Sequence, residues 1–126
     1  MKKILVIEDN AEIRENTVEL LQLSNYNVLA AINGQDGFDM AREHMPDLIL
    51  CDMMMPDSDG QYFMKLAKKD KQLKNIPLVF FSAGSPLPDV QKVLIKVANG
   101  YLKKPFTEEE LLEIITAALA KQGERE

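Results

Sequence analysis

Short apolar runs alternate with longer amphipathic ones along the whole chain. Lys3–Ile7 (KILVI), Asn27–Ala31 (NVLAA), Leu48–Cys51 (LILC), Leu78–Phe81 (LVFF) and Tyr101–Lys103 (YLK) have the length and apolar character of strands. They lack strict alternation, which predicts strands covered on both faces. Between them the period lengthens. Ala11–Leu23 carries Ile13, Leu20 and Leu21, Gln35–His44 carries Phe38, Met40 and Ala41, and Gln61–Lys69 carries Phe63, Met64 and Ala67. Asp89–Ala98 sets Val90, Val93, Leu94 and Val97 on one helical face. Thr107–Lys121 opens with Thr107 and Glu110 in a capping-box pattern and continues with Leu111, Leu112, Ile115, Ala118 and Leu119.

Five strand–helix units in a row predict an α/β fold, a doubly wound parallel sheet of five strands with helices on both faces. The 126 residues suit one domain with a real core. No repeat, linker or output-type domain stands out. Residues 1–121 are expected to form the domain, and Gln122–Glu126 reads as a polar tail that frays.

Charge and composition then narrow the function. A net charge of −5 and a pI near 4.9 argue against direct nucleic-acid binding. Lys65, Lys68, Lys69, Lys71 and Lys74 are a local exception, and their near-helical spacing reads as a solvated helix face. No apolar run approaches the roughly 20 residues of a membrane span, so no membrane insertion is expected. The opening MKKILVIEDN faintly mimics a secretory signal, but acids follow Ile4–Ile7 where a cleavage site would stand. The single cysteine, Cys51, excludes an internal disulfide and fits a reducing cytoplasm. It is expected to be buried and inert.

In doubly wound folds ligands sit at the carboxyl ends of the strands. The first predicted strand ends in Glu8-Asp9, the third in Asp52, the fourth in Ser82 and the fifth in Lys103-Lys104-Pro105. If the first and third strands are neighbours, three carboxylates converge, and joint ionisation then needs a cation. Acids at Glu8-Asp9 alone would suit a helix N-terminus. Agreement among several strand ends points instead to a site. Its hard oxygen donors, with no His or Cys cluster, suit Mg²⁺, or Mn²⁺ in its place. A carboxylate beside Mg²⁺ and a lysine is equipped to attack phosphorus and form an acyl phosphate. Nothing in the sequence generates a phosphoryl group, since P-loop and kinase-type glycine motifs are missing. His44 falls at the opposite end from the acids and reads as a surface loop residue. The phosphoryl group must therefore come from a partner or a small donor.

Four segments, ILVIEDN, LILCDMMMPDSDG, PLVFFSA and GYLKKPF, closely resemble the receiver domain of two-component response regulators, in that family's order and spacing and over essentially the whole chain. The resemblance is to the stand-alone, chemotaxis-regulator-like kind. It implies a flavodoxin-like (βα)5 sheet with the family's strand order, 2-1-3-4-5. It implies Asp52 as phosphoacceptor, with Glu8, Asp9, Asp52 and the backbone carbonyl of Met54 as the metal set. Ser82 would follow the phosphoryl group, Lys104 would be the family's lysine, and Tyr101 the aromatic that turns inward with Ser82. A cis bond is implied before Pro105. Lys103 stands where the family usually has a small or apolar residue and takes no role.

The chain departs from the family's pattern at Val97, where a glycine is common, and in its proline-rich loop Gly84–Pro88. Met53, Met54 and Met55 read as loop and core filler. The Met54 side chain is further expected to hinder water attack on the acyl phosphate.

The implied function is a cytoplasmic phosphorylation switch, a phosphoacceptor that takes part in its own transfer and slow autodephosphorylation and is not otherwise an enzyme. The expected partners are a sensor histidine kinase or phosphotransfer protein and an unidentified downstream target or output domain. The expected state is a monomer or a phosphorylation-dependent dimer. A pseudo-receiver that works without phosphorylation is the alternative. A flavodoxin-like redox protein would not place EDN where the FMN phosphate binds. An Asp-nucleophile phosphatase needs a second Asp two residues past the first, and Asn10-Ala11 follows Asp9.

Overall fold

The computed structural model describes residues 2–53, 60–82 and 98–124. Five strands, β1 (Lys3–Ile7), β2 (Asn27–Ala31), β3 (Leu48–Asp52), β4 (Leu78–Ser82) and β5 (Gly100–Lys103), form one parallel sheet of order β2-β1-β3-β4-β5. The described helices are α1 (Ala11–Leu23), α2 (Gly34–His44), α3 (Gly60–Lys69) and α4 (Glu108–Glu124). The helix expected over Asp89–Ala98 lies outside the described residues apart from Ala98, as do the Gly84–Pro88 loop, Val97, Met54 and Met55.

Strand side chains alternate, and both faces are apolar, which is why the sequence shows runs and no period of two. Leu5, Ile7, Ile49, Cys51, Leu78 and Phe80 enter a core with Ala41 of α2 and Phe63, Met64 and Ala67 of α3. Ile4, Val6, Leu48, Leu50, Val79 and Phe81 enter a second core with Leu21 of α1 and Leu111, Ile115 and Ala118 of α4. Coverage on both faces holds throughout β3 and β4. It fails on β2 and β5, which are edge strands and half-exposed.

Helix starts follow from local chemistry. Asn10 caps α1 by accepting the Ile13 N–H at 3.0 Å, and Asn33 caps α2 by accepting the Asp36 N–H at 2.8 Å. The predicted capping box is present. Thr107 Oγ1 accepts from the Glu110 N–H at 3.1 Å, and Glu110 Oε1 accepts from the Thr107 N–H at 3.0 Å. Gly37 of α2 brings that helix close onto β1, where an added Cβ would meet Ile7 Cδ1 and lie 2.8 Å from its Cγ1.

Several boundaries differ from expectation. The third and fourth strands each run one residue further, through Asp52 and Ser82, because backbone pairing continues past the last apolar side chain. The last helix runs to Glu124, so the expected frayed tail is helical over most of its length. Gln122 and Glu124 are good helix formers, and Gly123 near a helix end costs only about 1 kcal/mol. His44 is the last residue of α2, not a loop residue, though it does lie half-exposed at the end of the sheet away from the acids.

Candidate functional site

The ends of β1 and β3 build the acidic part of the site. Ile7 pairs with Ala31 on one side and Cys51 on the other, and the Glu8 N–H extends the ladder by donating to the Ala31 carbonyl at 3.0 Å. Glu8 is thereby drawn into the sheet and fully buried, while Asp9, one residue on, is exposed. Asp52 ends β3 and is 4% exposed. One carboxylate oxygen from each of Glu8, Asp9 and Asp52 lies within 4.8 Å of the others.

The Lys104 ammonium opposes such crowding. The Lys104 Nζ lies 2.5 Å from Glu8 Oε1 and 3.4 Å from Asp52 Oδ2. Its backbone N–H donates to the Ser82 carbonyl at 2.8 Å, and the Lys104–Pro105 peptide bond is cis, in line with the resemblance. Lys103, by contrast, is exposed. Ser82 is fully buried at the end of β4, one residue past Phe81, which pairs with Asp52. Tyr101 lies on β5 opposite Phe80, half-buried against the α2–α3 core. Cys51 is buried, and its thiol approaches the Asp52 carbonyl at 3.3 Å.

Asp9 registers both its partial burial and the crowding of the acids. Partial desolvation pushes its carboxyl above the ordinary value of 3.8, and its hydrogen bond and Coulombic contact with Glu8 push it further in the same direction. Its own N–H and that of Asn10 pull the other way without prevailing. A hard divalent cation would offset the Coulombic part of that shift. The donor set is entirely oxygen, as Mg²⁺ or Mn²⁺ requires, so the residues fit such an ion.

Several supporting residues have no role that the sequence reveals. The Asn10 N–H donates to Glu8 Oε2 at 3.2 Å, so Asn10 both caps α1 and orients an acid. Arg14 reaches back from α1, its NH1 donating to the carbonyls of Glu8 at 3.0 Å and Asp9 at 3.4 Å. A cation one turn into a helix opposes the macrodipole, and that is the one signal available for it. Lys104 Nζ also lies 4.5 Å from the centroid of the Phe81 ring, which Phe106 meets edge-on at 6.1 Å. No sequence pattern announces that contact.

The arrangement offers a buried carboxylate at a strand tip, a facing ammonium and a metal-suited acid cluster. A profile described as "Response regulator receiver domain" matches residues 4–116. Response regulator ArlR of Staphylococcus aureus is 35% identical over 126 residues, which is 100% of this chain and 56% of that protein. The chain thus spans about half the length of the curated relatives it matches. Among solved structures, chemotaxis protein CheY4 of Vibrio cholerae superposes with a TM-score of 0.85 at 29% identity, covering 94% of this chain and 98% of its own. A response regulator receiver domain protein from Clostridium thermocellum gives 0.89 at 26% identity, covering 100% of both chains. The chain belongs to the response regulator receiver domain family, the phosphoacceptor signalling modules of two-component systems.

Proposed function

We propose that this chain is a phosphorylation switch whose phosphoacceptor is Asp52. The observation that carries the reading is the burial of Asp52 at a strand tip, with Lys104 at 3.4 Å and the Glu8 and Asp9 carboxylates within reach of a shared cation. A phosphohistidine on a sensor kinase or phosphotransfer protein is the donor. An Asp52 carboxylate oxygen attacks phosphorus, the P–N bond breaks, and the imidazole leaves with its electron pair and takes up a proton. An acyl phosphate forms.

Glu8, Asp9, Asp52 and the Met54 carbonyl (Met54 lying outside the described residues) would hold Mg²⁺, or Mn²⁺, which supplies charge neutralisation for the phosphoryl oxygens. Lys104 supplies a further positive charge beside Asp52. The new dianion draws the Ser82 hydroxyl and the Lys104 ammonium toward it, and Tyr101 packs inward as Ser82 moves. The face comprising residues 89–98, β5 and α4 then binds a downstream target or output domain differently.

The donor side has a matching surface. A groove of about 690 Å³ lies between α1 and the segment after β5, lined by Ile13, Leu20, Leu23, Lys104, Pro105 and Phe106 among others. Leu23 is 71% exposed at its rim. An apolar groove that ends at Lys104 suits a helix of the kinase or phosphotransfer partner, which must bring its phosphohistidine to Asp52. Among the described residues no helix is long and apolar enough to cross a membrane, and the expected setting is the cytoplasm.

Incubation with acetyl phosphate or phosphoramidate and Mg²⁺, followed by intact-mass measurement, tests the reading. The expected result is one phosphate adduct, abolished by Asp52→Ala and by chelation. A wild type that acquires none is a partner-binding pseudo-receiver instead.

A further inference from the structure

Lys104 is held by more than its acids. Its side chain is only 11% exposed, and its Nζ lies 2.5 Å from Glu8, 3.4 Å from Asp52 and 4.5 Å from the centroid of the Phe81 ring. Ammonium over an aromatic face is attracted by the ring quadrupole, most strongly where water is excluded. The ring has little freedom of its own. Phe81 is fully buried on β4, paired with Asp52 on one side and Leu102 on the other. Phe106, just past Pro105, closes against it at an interplanar angle of 80°.

We infer that Phe81 is a positioning residue for phosphoryl transfer, its ring face holding the Lys104 ammonium where it serves Asp52 as well as Glu8. Without the ring, the closer and fully buried Glu8 would command the ammonium and draw it away from the acceptor. With the ring, the ammonium has a third attachment that carries no negative charge. The ammonium is thereby kept within reach of Asp52, where an arriving phosphoryl group meets it already in place. The same ring sits one residue before Ser82, so the residue that steadies the lysine adjoins the hydroxyl that follows the phosphate. This inference rests on the phosphoacceptor reading of Asp52.

The test uses Phe81→Leu and, to keep the shape of the core, replacement of Phe81 by 3,4,5-trifluorophenylalanine, which weakens the ring's attraction for cations. Phosphorylation by acetyl phosphate at saturating Mg²⁺ is expected to slow by about threefold to tenfold in both. In a Lys104→Met background neither replacement should slow it further. A fluorinated ring that leaves the rate at the wild-type value overturns the inference. So does an equal loss with Lys104 already removed. A second readout needs neither phosphate nor metal, namely the proton resonance of the Lys104 ε-methylene. Ring current should move it upfield in the wild type relative to Phe81→Leu, and identical positions refute the contact. A wild type that accepts no phosphate refutes the phosphoacceptor reading alone, and the resonance then still decides whether the ring holds Lys104.

Discussion

Exchanging Lys104 for methionine keeps most of the side chain's apolar stem and deletes only the ammonium. Glu8 remains fully buried, Asp52 nearly so, and Asp9 stays beside them, while the ion pairs that Lys104 makes with Glu8 and Asp52 are both lost. At an effective dielectric of about 20, a unit pair at the 3.4 Å of Lys104 and Asp52 attracts by roughly 5 kcal/mol before desolvation is counted. Desolvation offsets much of that, and breaking a buried pair by removing one partner costs about 3–5 kcal/mol. Methionine fills the vacated volume, so the lower end, about 3 kcal/mol, is the expected loss. Against a total of roughly 5–15 kcal/mol the variant should stay folded. The assay is urea unfolding at pH 7 in EDTA, where the midpoint should fall by about 1–2 M. Repeating it with excess Mg²⁺ should recover more stability in the variant than in the wild type, because the ion then meets acids with no competing ammonium. A Lys104→Met protein as stable as wild type in EDTA would refute the reasoning, since the acids would then be neutralised some other way.

Asp9→Asn should act in the opposite direction, stabilising the metal-free protein at neutral pH by a few tenths to about 1 kcal/mol after solvent screening. Because the folded-state value of Asp9 is raised, the favourable proton uptake is complete below its unfolded value and is lost as pH rises through the folded one. The gap between Asp9→Asn and wild type in thermal melts should therefore close as pH falls toward 3.8, and a constant gap contradicts the assignment. Gly37→Ala should lower the urea midpoint by an amount worth about 1–2 kcal/mol, the strain against Ile7 outweighing a helix-propensity gain of about 1 kcal/mol. No loss of stability would mean that α2 yields easily. Met54→Asn should speed the loss of phosphate from Asp52, read by intact mass after donor removal, and an unchanged or slower loss discards the shielding role of that methionine.

Much of the architecture is readable from the sequence because the cores on both sides of the sheet are made by the strands themselves. KILVI and NVLAA mark β1 and β2 to the residue. The apolar pattern stops short at Cys51 and Phe81, since hydrophobicity ends there while backbone pairing continues through Asp52 and Ser82. It starts α2 and α3 one residue late because glycine is a poor helix former, whereas Asn33 caps the turn at Gly34 regardless. The acids are legible because strand order turns chain position into proximity. Arg14, Asn10 and Phe81 are not: the first two act through local loop geometry, a guanidinium on two carbonyls and a backbone amide on a carboxylate, and the third through a ring beneath an ammonium from another strand's end. Beyond the misplaced cation at Arg14, apolar periodicity carries no trace of such contacts.

The link from Lys104 to Glu8 spans 96 residues of sequence, from the far edge strand back across the sheet to β1. Closing so long a loop is slow, and the contact forms only after β4 and β5 have docked. Wherever β1 and β3 pair ahead of that docking, their terminal carboxylates repel one another without the ammonium between them. The acidic cluster is therefore a brake on early assembly, released by the last βα unit to arrive. Divalent cations should lift that brake, speeding refolding as well as slowing unfolding.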